Sequence, residues 1–258
     1  MKIEIKKNLI KLEPFQHYAD NNIIAEELAK EIQEEILNIP DKEWDRYNNP
    51  FEQKFTLRNK FNFPPKCMEL FNYLESNEFI NYLSPIVGYK LIKDDYRNFW
   101  GIHKYINGDY LDIHVDAGIH PNNKLKKQLT IGFYFSKDWK EENQGHLEIW
   151  SGTNSAFEDA KIKECKTKIL PIFNTMIFFE NNDFSWHGNP TKVNIKNNEK
   201  RIFLTLSYLS ENLGNLNKKQ KAFFVPRPED EYDEKKDKLR FLRADAEKYK
   251  EIYKYGIN

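Results

Sequence analysis

Over residues 99–209 the chain carries almost no helical periodicity, and this constrains its fold more than any other feature. The stretch divides into short runs rich in aromatic and β-branched residues, at 99–106, 128–135, 145–151, 175–179 and 201–209, each predicting a strand. Turn signals separate them, among them Asn107-Gly108 and the segment from Asn143 to Gly145. Many short strands with helices nearly absent predict an antiparallel, mainly β core: a double-stranded β-helix, the jelly-roll or cupin-like barrel. With 19 Phe and 14 Tyr, aromatics reach 15% of the chain, a load that suits strands around a walled pocket better than a helical bundle.

The flanks read differently. In residues 1–98, Ile24, Leu28, Ile32 and Ile36 recur every four residues among Glu and Lys, which predicts an amphipathic helix. Asp20 to Asn22 offer caps for it and Pro40 lies beyond its end. Residues 66–87 predict two further helices, broken near Ser76 and stopped at Gly88. In residues 211–258, Leu239, Leu242, Ala246, Tyr249 and Tyr253 make one apolar stripe on a charged helix, to be docked on the barrel or used as a dimer seam. The expectation is one domain over 1–258: a helical and extended buttress (1–98), a jelly-roll core (99–210) and a helical extension (211–258), monomeric or homodimeric.

Forty basic and forty acidic side chains cancel, so nothing global draws the chain to nucleic acid or an anionic membrane. Cys67 and Cys165 are isolated, without zinc or redox spacing. Met1 to Ile10 lacks the apolar core of a signal peptide, and no apolar run approaches a bilayer span of roughly 18 residues. These features predict a cytoplasmic protein.

Chemistry concentrates at three places. In the run from Tyr110 to Asp116, His114 and Asp116 are two residues apart, so on extended chain they point to one side and can share an ion. His187, in a turn-rich segment before the last strand, is placed to supply a third ligand. Two His and one carboxylate on an octahedral face leave positions open for a chelating co-substrate and dioxygen, the arrangement of iron(II) oxygenases. Arg201 opens an otherwise apolar strand, a costly place for a guanidinium unless it meets a buried anion. Alternation from Lys127 to Tyr134 puts Thr130, Gly132 and Tyr134 on one face, with the Tyr134 hydroxyl free to bond a ligand.

In this region the sequence resembles the prolyl-hydroxylase-like iron(II)/2-oxoglutarate dioxygenases. The resemblance runs from Tyr105–Gly108 and His114-Val-Asp116 through the stretch from Leu129 to Trp139. It continues with Gly145 to Trp150 (His146 replacing the usual second Gly of the family's Gly-Gly-Glu-Leu strand), then residues 171–179, His187-Gly188 and Arg201. It implies iron on His114, Asp116 and His187, with 2-oxoglutarate chelating the iron and its distal carboxylate on Arg201 beside Tyr134, and with Tyr105 and Thr130 lining the same site. Ascorbate is an accessory reductant the resemblance allows. The implied reaction consumes O2, decarboxylates 2-oxoglutarate to succinate and hydroxylates an unactivated C–H bond.

The substrate is left open by the sequence. A prolyl residue in a peptide fits the resemblance, and a small metabolite, lipid or sugar-linked compound fits the same chemistry. Two other readings stay open: a cupin-like enzyme using the triad without 2-oxoglutarate, and a non-catalytic carbohydrate- or protein-binding sandwich. Other polar residues are assigned modest roles. His103 faces the pocket or is structural, His120 belongs to a loop near the metal, and His17, His146 and Trp186 are structural. Lys124, Lys126 and Lys127 form a basic patch near the same loop, a solvated surface or else a site that recruits an acidic or phosphorylated substrate.

Overall fold

A computed structural model describes residues 1–57, 59–61, 63–196, 199–211 and 221–256. In chain order its elements are β1 (His17–Asn21), α1 (Glu26–Leu37), β2 (Trp44–Asn49), β3 (Glu52–Leu57), α2 (Pro65–Leu74), α3 (Asn77–Val87), β4 (Gly101–Tyr105), β5 (Tyr110–Val115), β6 (Lys126–Tyr134), β7 (Leu147–Gly152), β8 (Ile162–Ile169), β9 (Thr175–Glu180), β10 (Trp186–Asn189), β11 (Arg201–Ser210), β12 (Phe223–Phe224) and α4 (Glu234–Ala244). The strands pair antiparallel in the order β1-β9-β6-β11-β4-β3-β5-β10-β7-β8, with β2 on β3 and β12 on β5. The result is a nearly closed jelly-roll barrel. No helix among the described residues is long and apolar enough to cross a membrane.

Period-2 alternation sorts the central strands into two faces. Leu129, Ile131 and Phe133 of β6, Met176 and Phe178 of β9, and Ile202, Leu204, Leu206 and Tyr208 of β11 join one buried cluster. That cluster is closed by Ala29, Ile32 and Ile36 of α1, Leu70, Phe71 and Leu74 of α2, and Phe79 and Leu83 of α3. Each fully buried apolar side chain of this kind contributes about 1.5–3 kcal/mol. The alternate residues, Thr130 and Tyr134 of β6 and Arg201, Phe203, Thr205 and Ser207 of β11, turn inward and line a cavity.

Ser76 caps α3 by accepting from the Phe79 amide, and Gly88 ends it in the left-handed region, φ 82°, as the sequence predicts. The first helix departs from expectation. Asp20 and Asn21 belong to β1 and do not cap α1, whose N-cap position is Ala25 without a side-chain bond. The C-terminal stripe is likewise not one helix. Asp245 ends α4 and accepts from the Glu247 and Lys248 amides, and residues Tyr249–Tyr255 form a 3₁₀ segment. Leu239 still packs inward with Phe51, Phe224 and Ile252, so the segment is docked on its own barrel.

Candidate metal centre and its pocket

His114 on β5 and His187 on β10 are direct cross-strand partners. Neighbouring strands lie about 4.8 Å apart, and the two imidazole centroids are 4.5 Å apart. Asp116 follows β5 immediately, on the face of His114. Its Oδ1 is 3.4 Å from His114 Nε2 and its Oδ2 is 3.9 Å from His187 Nε2. All three ligand-type atoms lie within 4.8 Å of one another, a spacing one ion can bridge. Close approach of β10 to β5 depends on Gly188, where a Cβ would sit 2.7 Å from the Asp112 carbonyl oxygen and 2.8 Å from that of Leu111. His187 therefore lies in a short paired strand, where the sequence suggested a turn-rich segment.

The donor set suits a divalent cation. The Nδ1 atoms of His114 and His187 sit 2.9 and 2.8 Å from the carbonyls of Asp112 and Ser185. Proton donation there fixes the tautomer and leaves both Nε2 lone pairs on the cluster. Burial, with the His114 charge added, lowers His187 to about 3, so it is a neutral ligand near pH 7. Burial would raise the Asp116 carboxyl, but Lys127 and the two imidazoles hold it well below the usual carboxylate range.

The cavity around this cluster has a volume of about 260 Å³. At one side Arg201, 2% exposed, lies between the rings of Tyr105 and Tyr134, 4.6 and 5.0 Å from their centroids. Its Nε donates to the Gly145 carbonyl (2.8 Å) and its NH2 lies 3.5 Å from the Tyr134 hydroxyl. Among the described residues no carboxylate meets it. Burial pushes the Tyr134 phenol up to about 12, so it stays a hydroxyl. Thr130 also lines the cavity, held by the Ser207 hydroxyl at 3.0 Å. Gly132 makes space on the same face, since a Cβ there would strike the Phe203 ring at 2.3 Å.

Of the remaining histidines, His103 lines the pocket, 2.9 Å from Thr56. His120 is fully buried against Asp94 at 2.9 Å and holds its own loop. His146 and His17 have structural partners, Glu141 and the Phe15 carbonyl. Trp186 is packing, its indole N–H donating to the Thr153 carbonyl. The basic patch is a correction: Lys124 is exposed, whereas Lys126 and Lys127 are buried and Lys127 lines the site, its Nζ 2.5 Å from Asp116 Oδ2. A register shift on β6 between Lys127 and Leu129 explains the miss. The extra residue carries Lys127 onto the inward face, which strict alternation would have given to Gln128. Lys54, Thr56 and Lys60 also line the cavity and were not anticipated. The inward face of β3 carries Glu52, Lys54 and Thr56, so its polar residues point in and no apolar alternation marks it as a barrel strand.

A β-barrel that holds two imidazoles and one carboxylate on adjacent strands, open to a cavity, defines the class of non-haem metal oxygenases. Residues 100–209 match the family model of the 2OG-Fe(II) oxygenase superfamily, so over that stretch the chain carries an iron(II)- and 2-oxoglutarate-dependent oxygenase domain. No curated protein matches it in sequence. Its fold is similar to that of the prolyl hydroxylase from Trichoplax adhaerens solved with a hypoxia inducible factor peptide fragment. The TM-score is 0.58 at 16% identity, covering 80% of this chain and 89% of that one. It is also similar to a Pseudomonas putida prolyl-4-hydroxylase (TM-score 0.54, 11% identity, 76% and 93% covered). A third likeness is to HygX from Streptomyces hygroscopicus, solved with nickel and 2-oxoglutarate (TM-score 0.50, 10% identity, 75% and 82% covered).

Proposed function

We propose that His114, Asp116 and His187 hold the iron, that Arg201 holds the distal carboxylate of 2-oxoglutarate, and that the enzyme hydroxylates an unactivated C–H bond. A prolyl residue in a peptide is the substrate the fold likeness favours. The observation that carries this reading is Arg201, a guanidinium sealed between two tyrosines with no carboxylate partner among the described residues, in the same cavity as the His-Asp-His cluster. An unpaired buried charge is strongly destabilising, and a bound dianion resolves it. The planar fork of arginine suits a carboxylate, with the Tyr134 hydroxyl as a further donor.

Iron and 2-oxoglutarate together supply dioxygen activation coupled to decarboxylation of the keto acid. The chain's own part is positional. The carbonyls of Asp112 and Ser185 orient the two imidazoles, Lys127 keeps Asp116 ionised by occupying one side of its carboxylate, and the aromatic walls from Tyr105, Tyr134, Phe179 and Phe203 exclude water. In the Ala variants of His114, Asp116 or His187, iron content falls most of the way to zero and succinate formation stops, because two ligands cannot define the face. His120→Ala retains its iron. Metal analysis beside a succinate assay checks both, and loss of iron in His120→Ala but not in His187→Ala would reassign the ligand set.

A further inference from the structure

We infer that His103 binds the co-substrate, its Nε2–H donating to the metal-chelating carboxylate of 2-oxoglutarate at the end opposite the one held by Arg201. The inference rests on the functional reading above and adds a residue to its co-substrate site. Its basis is where the strands place this imidazole. Along β11, Arg201 pairs with Tyr105, Phe203 with His103 and Thr205 with Gly101. Each such step is two residues, about 7 Å of strand. On the other side of β3, β5 starts from Tyr110, and the turn at 106–109 joins it to the end of β4. The two strands leave that turn side by side, so His114, four residues after Tyr110, stands at about the height of Gly101, four residues before Tyr105. His103 therefore lies between the metal cluster and Arg201, along the line that a ligand bound to both must follow.

The ring is also aimed at the metal end. Its Nδ1 is 2.9 Å from Thr56 Oγ1, and a Cβ on Gly101 would sit 2.4 Å from its Nε2. The imidazole thus leans along β4 away from Arg201, over a glycine that leaves it room, with the Phe203 ring nearly parallel beside it. Among the described residues Nε2 has no hydrogen-bond partner, although the side chain lines the cavity. Nearby hydroxyls of the same wall are already engaged. Thr205 donates to the Ile131 carbonyl at 3.0 Å, and Ser207 and Thr130 bond each other at 3.0 Å. Burial holds His103 well below its ordinary value, with Lys54 and Lys60 adding to the effect, so the ring is neutral and carries one N–H. The Thr56 hydroxyl then donates to Nδ1, which leaves that proton on Nε2 for an incoming carboxylate. A chelating carboxylate gives one oxygen to the metal and keeps the other in the cavity, where an unmet acceptor is costly. His103 is not itself a ligand: among the described residues the atoms close enough to share one ion belong to His114, Asp116 and His187.

The test titrates 2-oxoglutarate into the full chain in two forms. Calorimetry on zinc(II)-loaded protein reads affinity without turnover. Absorbance of iron(II)-loaded protein under nitrogen reads the visible charge-transfer band of the chelate, which reports on the keto-acid end. His103→Leu weakens 2-oxoglutarate binding about tenfold and moves the band. His103→Gln, whose amide nitrogen takes the place of Nε2, stays within about threefold of the wild type and returns the band towards its original position. Gly101→Ala keeps the imidazole but drives it from its seat, and weakens binding in the same direction as His103→Leu. Zinc affinities of all four proteins agree within about twofold, which shows that the metal site is folded in each. Binding by His103→Leu within about threefold of the wild type overturns the inference, as does a band that does not move. Equal losses in the Leu and Gln variants also overturn it, since they would make the ring packing alone. Wild-type protein that takes up zinc but not 2-oxoglutarate would instead strike at the functional reading beneath it, and both would fall.

Discussion

Arg201 is the residue whose physical situation says most about the chemistry. Its guanidinium is 2% exposed, and among the described residues no carboxylate meets it. In the proposed reading an anion from outside the chain completes it. Losing one member of a buried charge pair typically costs 2–5 kcal/mol, about 1.5 to 3.5 decades of affinity. Arg201→Ala should therefore raise the apparent constant for 2-oxoglutarate at least about tenfold with iron still bound, and Tyr134→Phe should give a smaller rise. Lys196, the nearest competitor in the sequence, is exposed, and Lys196→Ala should shift that constant less than about threefold. Initial rates over a 2-oxoglutarate series, run beside an iron assay, decide it; a large effect at Lys196 with little at Arg201 would move the anchor. Arg201 was legible because a charged residue interrupts an apolar alternation. Lys127 was not, since one bulged residue reverses the face it occupies and nothing local marks a bulge.

At the scale of elements, the site depends on how closely β10 lies against β5. Gly188 sets that distance, because its missing side chain is what lets the carbonyls of Leu111 and Asp112 approach. Gly188→Ala should push the two strands apart and cost iron affinity about tenfold or more, although no ligand is changed. Metal titration of a variant whose circular dichroism matches the wild type measures this; unchanged affinity would show that β10 can shift without moving His187. The C-terminal segment acts on the same wall. Leu239 of α4 packs on Phe224 of β12, whose ring stacks 4.9 Å from that of His114. Leu239→Asp buries a charge in that cluster and should destabilise the protein by about 2–4 kcal/mol, visible in urea melts, with no change in molecular mass by light scattering. A halved mass with unchanged stability would make the stripe a dimer seam instead.

For the molecule as a whole, folding builds a rigid frame around a site that is electrostatically incomplete. Helices α1, α2 and α3 bury one face of the central sheet, and the opposite face concentrates three imidazoles, four cations and the Asp116 carboxylate around one cavity. Ligands that complete such a site bind the folded state alone, so they must stabilise it. At a hundredfold excess over the dissociation constant the gain is about 2.7 kcal/mol, roughly 5–10 °C in Tm for a chain of this size. Iron(II) or zinc(II) should raise the Tm, 2-oxoglutarate should add a second increment only when metal is present, and EDTA should remove both. In Arg201→Ala the first increment survives and the second shrinks. Differential scanning calorimetry under nitrogen reads these increments separately, and a second increment that persists undiminished in Arg201→Ala would place the dianion elsewhere.

Local chemistry was enough to determine the strand-rich core, the ends of α3 at Ser76 and Gly88, and the facing of Thr130, Tyr134 and Arg201, because alternation and capping act over a few residues. His114 and Asp116 belong to the same category, being two apart on one extended run. Tertiary structure alone decided the rest. Pairing of β10 with β5 brought His187 to within one strand spacing of His114, 73 positions earlier in the numbering, a distance no local pattern encodes. The β2–β3 hairpin entered the barrel with its polar face inward, so Lys54 and Thr56 met the cavity against the ordinary hydrophobic rule. The end of α4 is the local exception: Asp245 accepts from the Glu247 and Lys248 amides, and the remaining turn docked in a different helical geometry. In the two strand pairings the deciding energy came from groups distant in the chain, which the sequence specifies but does not place side by side.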